Sequence, residues 1–148
     1  MKITIEIVGM DQEEEIQIRC HEVTEEILSH VNSLKMKDSE LVGYLKNDIY
    51  RLAFSDVYYF EAVDNKVFIY CKSQVFESVH KLYELEQICE NRRFFRCSKS
   101  TILNIEKITM IRPSISGRLE AVLDNKEAVV VSRKYVPLLK SKLGLGGY

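Results

Sequence analysis

The sequence predicts an α+β fold rich in short strands, and three observations carry that prediction. Apolar and polar residues alternate over several short runs, the pattern of a strand with one buried face. Strand-like runs are bounded by turn-forming residues, such as the pair Asp64-Asn65. Helical character is confined to short stretches near 23–34, 79–90 and 134–143.

Taken in order, Ile3, Ile5 and Ile7 alternate with Lys2, Thr4 and Glu6, which reads as a half-buried strand. Gly9-Met10-Asp11-Gln12-Glu13 is a turn, and Glu15 to Cys20 alternates again. Val23, Ile27, Val31 and Leu34 fall on one helical face, with Glu22, Glu25 and Glu26 near the N-terminus that favours acids. With a strand at Leu41–Leu45, residues 1–45 make a small β-β-α-β element for dimerisation or partner contact. Residues 46–148 make a second, strand-rich unit. Asp56 to Ala62 and Lys66 to Cys71 flank the Asp64-Asn65 turn, and Val75-Phe76 adds a short strand. Leu82, Leu85, Ile88 and Cys89 mark an amphipathic helix over 79–90, with Ser78 as its N-cap. Phe94 to Ile105 leads into strands at Ile108–Ile111, Arg118–Leu123 and Glu127–Val131, separated by turns at 113–117 and 124–126. A last helix spans Lys134 to Leu143, with Ser132 as a cap, Pro137 in its first turn and Gly144 after its end. Residues 146–148 should fray.

Composition bounds what such a chain can do. At 148 residues it can bury a core, and no apolar run approaches the roughly 20 residues of a membrane span. The N-terminus alternates and shows no signal-peptide block. The four cysteines, Cys20, Cys71, Cys89 and Cys97, contain no C-x-x-C pair, which fits free thiols in a reducing cytoplasm. The net charge of −1 hides an asymmetry: residues 1–45 hold 4 basic against 10 acidic residues, and residues 46–148 hold 17 against 12. Within 91–118 seven cations face the single acid Glu106, a patch that attracts polyanions.

Two segments concentrate this chemistry. Phe94-Phe95-Arg96-Cys97-Ser98-Lys99-Ser100-Thr101-Ile102-Leu103-Asn104-Ile105 sets short donors and cations beside an apolar strand, and Val131-Ser132-Arg133-Lys134-Tyr135 repeats the arrangement. Cations held at strand ends can reach a DNA groove while their strands stay packed; Arg can bond guanine bidentately, and Lys and Ser can reach bases or phosphates.

At these residues the chain resembles the LytTR family of bacterial DNA-binding domains. The similarity runs from about Asp56 to Leu143 and also includes Val57 to Ala62, Val67 to Tyr70 and the helix Lys81 to Glu86, in the family's order. The resemblance implies an elongated, mostly antiparallel β fold with short helices, whose loops enter successive major grooves. It implies base contacts from Lys99, Arg133 and Lys66, the last beside Asn65. It implies backbone contacts from Arg96, Ser98, Ser100, Arg118, Ser132 and Lys134. Many members carry an N-terminal receiver domain; the acidic 45 residues here are too few for one, so the chain resembles the short stand-alone members. Those are cytoplasmic transcriptional regulators, expected as homodimers on paired short repeats of double-stranded DNA near a promoter. They are often encoded beside a small membrane protein that restrains them.

Plainer roles compete with these. Arg96 could pair with a carboxylate, Asn104 could bond turn backbone, and Ser132 could simply cap a helix. Cys97, beside Arg96 and Lys99, could be a low-pKa redox switch or a buried filler. No catalytic constellation appears: His21, His30 and His80 are scattered, and there is no phosphate-binding glycine loop, so no cofactor, metal or small-molecule substrate is expected. The alternative function is a protein-interaction module that uses the acidic N-terminal element and the basic C-terminal face.

Overall fold

The computed structural model describes residues 1–36, 41–90 and 92–145; the fraying expected at 146–148 lies outside them. Residues 1–24 contain one turn, in which Gln12 N–H donates to Gly9 O (3.0 Å), and no strand. The strands expected at 2–7 and 15–20 therefore do not form: Ile3, Ile5 and Ile7 are 88, 88 and 96% exposed. The reason is the absence of a neighbour, since two strands alone are marginal in water. The helix that follows does form, as α1 (Glu25–Met36), with Thr24 Oγ1 accepting the Ile27 N–H (3.2 Å) and two acids in its first turn.

The strands are β1 (Leu41–Leu45), β2 (Asp48–Leu52), β3 (Val57–Val63), β4 (Lys66–Cys71), β5 (Val75–Ser78), β6 (Phe94–Ser98), β7 (Thr101–Asn104), β8 (Ile108–Pro113), β9 (Leu119–Leu123) and β10 (Ala128–Val131). Two short helices, α2 (Leu82–Ile88) and α3 (Val136–Lys142), interrupt and end the series. β1 to β7 form a seven-stranded sheet in the order β2-β1-β5-β4-β3-β7-β6, and β8 to β10 a three-stranded meander; every pairing is antiparallel. The fold is thus α+β and mainly antiparallel, as the family resemblance implied. β1 pairs with β5, so this strand of the expected N-terminal element lies in the same sheet as the later strands.

Turn chemistry fixes these hairpins. Asp64 and Asn65 both sit at positive φ (51° and 64°), the pair of left-handed residues that a two-residue hairpin turn requires. The expected N-cap of α2 is corrected: Lys81 takes that place, its backbone N–H donating to Glu84 Oε1 (3.0 Å), while Ser78 ends β5 and accepts the His80 N–H. α3 starts at Val136 after a 3-10 turn over Arg133–Tyr135, and Ser132 makes no side-chain capping bond.

Two cores meet at β7. One contains Leu41, Val57, Phe60, Ile69, Phe76, Leu85 and Ile102, between the large sheet and α2. The other contains Phe95, Cys97, Leu103, Ala121, Leu123, Val131 and Leu139, between the sheet's last strands, the meander and α3. Successive residues Ile102 and Leu103 point to opposite faces, so β7 is buried on both. Asn104 closes the strand: its Nδ2 donates to Val57 O (2.8 Å) and its Oδ1 accepts the Glu106 N–H (3.0 Å), the structural role anticipated for it. Among the described residues no helix is long and apolar enough to cross a membrane.

Candidate nucleic-acid interface

Antiparallel pairing brings three loops to one end of the strands. β3 runs up to the Asp64-Asn65 turn, and β7 lies against it with Glu61 opposite Thr101, so the β6–β7 turn (98–100) stands beside the β3–β4 turn. Ala62 N–H donates to Ser100 O (2.8 Å) and ties these two turns together. On the other side Ser132 N–H donates to Cys97 O (2.9 Å), fastening the junction between β10 and α3 to the end of β6. Asn65 and Lys66, then Ser98, Lys99 and Ser100, then Ser132, Arg133 and Lys134 therefore follow one another across a single edge of the molecule.

The junction borders an open cleft of about 660 Å³ lined by Ser116, Arg118, Ser132, Arg133, Lys134 and Pro137. Its other wall is the loop between β8 and β9, where Ser116 and Gly117 adopt positive φ (60° and 75°). A Cβ at Gly117 would lie 2.8 Å from Arg133 Cδ, so the bare glycine lets the Arg133 stem rest on the loop. In the sequence 113–117 reads only as a turn; Ser116, Gly117 and Pro137 join the site because the β8–β9 loop lies against the start of α3. Gly117 beside Arg118 was the available signal.

The basic segment 91–118 divides once its partners are known. Arg92 stacks over Phe54 (3.9 Å), Arg93 pairs with Glu106 (3.5 Å), Arg112 pairs with Glu120 (2.9 Å), and Lys107 lies over the Tyr58 ring (4.9 Å). Arg96 donates from Nε to Ser98 O (2.9 Å), from Nη2 to Lys99 O and from Nη1 to Glu86 on α2. Its guanidinium is bonded to protein groups, including the carboxylate partner weighed for it, and Arg96 anchors the turn that presents Lys99. Glu86 gave no sign of this in sequence, lying ten residues away on another element. The side chains of Lys99, Arg118 and Arg133 are left exposed, with no hydrogen-bond or ion-pair partner among the described residues. Lys66 reaches Glu77 (3.7 Å), and Lys134 lies over the Tyr135 ring (5.5 Å); both remain on the surface.

Cys97 is the buried filler of the two readings. It is fully buried, its Sγ donates to Thr101 O (3.6 Å), and burial pushes the thiol pKa up to about 12 despite Arg96 nearby. Among the described residues no three His, Cys, Asp or Glu side chains are grouped to hold a metal.

Residues 47–144 match the model of the LytTr DNA-binding domain family. The chain is similar over 98% of its length to an uncharacterised HTH-type transcriptional regulator of Staphylococcus aureus strain bovine RF122 / ET3-1, with 29% identity and 99% of that protein covered. It is 35% identical over 97 residues to the sensory transduction protein LytT of Enterococcus faecalis, covering 66% of this chain and 40% of that protein. Among solved structures, the LytTr DNA-binding domain of a methyl-accepting/DNA response regulator from Bacillus cereus superposes with a TM-score of 0.68 at 28% identity. That match covers 72% of this chain and 98% of that domain.

Proposed function

The chain belongs to the LytTR DNA-binding domain family, whose members are transcriptional regulators rather than enzymes, and we propose that it reads specific double-stranded DNA with the row of loops at its strand ends. The observation that carries this reading is the placement of three exposed cations, Lys99, Arg118 and Arg133, beside these loops and their cleft. Arg133 and Lys99 are assigned to base edges, with Lys66 at the neighbouring turn. Arg118, Lys134 and the hydroxyls of Ser98, Ser100 and Ser132 are assigned to phosphates that set register. Arg133 follows β10 at the start of a 3-10 turn, where a cation gains nothing from the helix dipole. A homodimer on paired short repeats near a promoter completes the reading.

Selection of random duplexes over several rounds tests it, with wild type, Lys99→Ala and Arg133→Ala compared in parallel. Wild type should enrich a repeated motif, and Arg133→Ala should lose about 1–3 kcal/mol of discrimination at one base position. Failure to enrich any sequence at low and moderate salt would leave the cleft as a protein-docking surface and return the alternative of an interaction module.

A further inference from the structure

The chain holds both halves of a strand pairing that it does not make. β2 is the outermost strand of the large sheet, and among the described residues its only strand partner is β1. Ile49 and Tyr50 on it are 65% and 37% exposed. Such an edge is a template for another strand. Residues 2–8 have the alternation of a strand and stand free of the fold, and Ile16 and Ile18 beyond the Gly9–Gln12 turn are 74% and 39% exposed.

We infer that residues 2–8 of one copy add as an antiparallel strand to the β2 edge of a second copy, each copy giving an arm and receiving one. One register satisfies both faces. With Glu6 opposite Arg51, Ile5 falls opposite Leu52 and Ile7 opposite Tyr50. Leu52 and Tyr50 face Leu41 and Gly43 of β1, and the Tyr50 ring meets Phe76 (5.2 Å), so the arm's isoleucines extend the first core. On the other face the charges of Glu6 and Arg51 are complementary. A shift by one residue would turn Glu6 inward and the isoleucines out, and a shift by two would set Glu6 on Ile49 or Gly9 on Tyr50.

The occupant is a second copy rather than the arm's own chain. In the single chain the arm stands off the edge although both are present, and mutual exchange satisfies two edges at once in a closed two-fold assembly. The acidic residues 13–15 that follow the arm give no affinity for DNA, and β2 lies at the opposite end of the sheet from β6. Six strand steps separate them, roughly 29 Å at 4.8 Å each, so dimerisation leaves the cleft open. The inference rests on the fold and not on the DNA reading.

The full chain carrying Cys20→Ser, Glu6→Cys and Arg51→Cys, oxidised with glutathione disulfide, tests it by non-reducing electrophoresis and sedimentation. The expected product is a covalent dimer of twice 17.3 kDa joined through positions 6 and 51. A monomer with an internal 6–51 disulfide would show the arm serving its own edge. A monomer with no disulfide, or a dimer lacking this linkage, would also overturn the inference. Independently, Ile5→Glu with Ile7→Glu in the otherwise native chain should halve the sedimentation mass without changing the circular dichroism of the sheet. A double variant that stays dimeric would overturn it.

Discussion

Two segments of this chain alternate in nearly the same way and meet different fates. Lys66-Val67-Phe68-Ile69-Tyr70-Cys71 is β4, with Val67 and Ile69 at 5 and 0% exposure between β3 and β5. Lys2-Ile3-Thr4-Ile5-Glu6-Ile7 has as strong an apolar face and no strand beside it. Alternation specifies which side chains a strand will bury; it does not supply the neighbours that satisfy the backbone. β4 finds those neighbours within one chain through short hairpins, whereas residues 2–7 are separated in sequence from the first strand by residues 8–40, α1 among them.

The largest expected effect sets these segments directly against each other. Ile69→Ala should lower the unfolding free energy by about 2–5 kcal/mol, the cost of a cavity in a closed core. Ile5→Ala, in protein dilute enough to keep copies apart, should change it by about 0.5 kcal/mol or less. Urea titration of both variants decides the matter, and equal losses would mean that the arm packs on its own chain. Gly43→Ala asks whether β1 belongs to the same core as β4. Its Cβ would meet Phe76 Cβ at 2.7 Å and Leu52 Cδ1 at 2.9 Å, an overpacking worth about 1–3 kcal/mol in the same titration. A neutral result would detach the β1–β2 hairpin from the core.

A pH-dependent test sharpens the comparison on the other side of the sheet, where β3 meets the meander through Tyr58. Its hydroxyl donates to Asp124, and this bond, followed by burial, pushes its pKa from 10.0 up to about 12. A raised folded-state pKa stabilises fully below the unfolded value, so the contribution is complete below pH 10 and is lost as pH climbs to 12. Tyr58→Phe should flatten that part of the stability profile measured by thermal melts. An unchanged slope would assign it to other groups.

Most of this fold was legible because its signals are local. Asp64-Asn65 marked a hairpin whose partners are adjacent in sequence, and β4 occupies Lys66–Cys71 as its alternation indicated. As an edge strand β2 buries little, so Asp48 to Leu52 carries a weak periodic signal. α2 begins at Leu82 and not at 79 because Ser78 is still in the sheet, and Glu84 reaches back to accept the Lys81 N–H at the helix start. The site divided in the same way. The excess of cations over 91–118 is a property of the sequence, but which of them stay unpaired depends on Glu86, Phe54, Tyr58 and Glu120, contributed by other elements. Lys99 and Arg96 are three residues apart and look alike in sequence; only the fold distinguishes the presented cation from the one that holds its turn.

The two backbone bonds that fasten the loop row, Ala62 N–H to Ser100 O and Ser132 N–H to Cys97 O, have a calorimetric consequence. A surface already ordered by the sheet does not fold when a duplex arrives. The binding enthalpy of the proposed complex should therefore vary little with temperature, without the large negative heat-capacity change of a partner that must bury roughly 1,000–3,000 Å² to become structured.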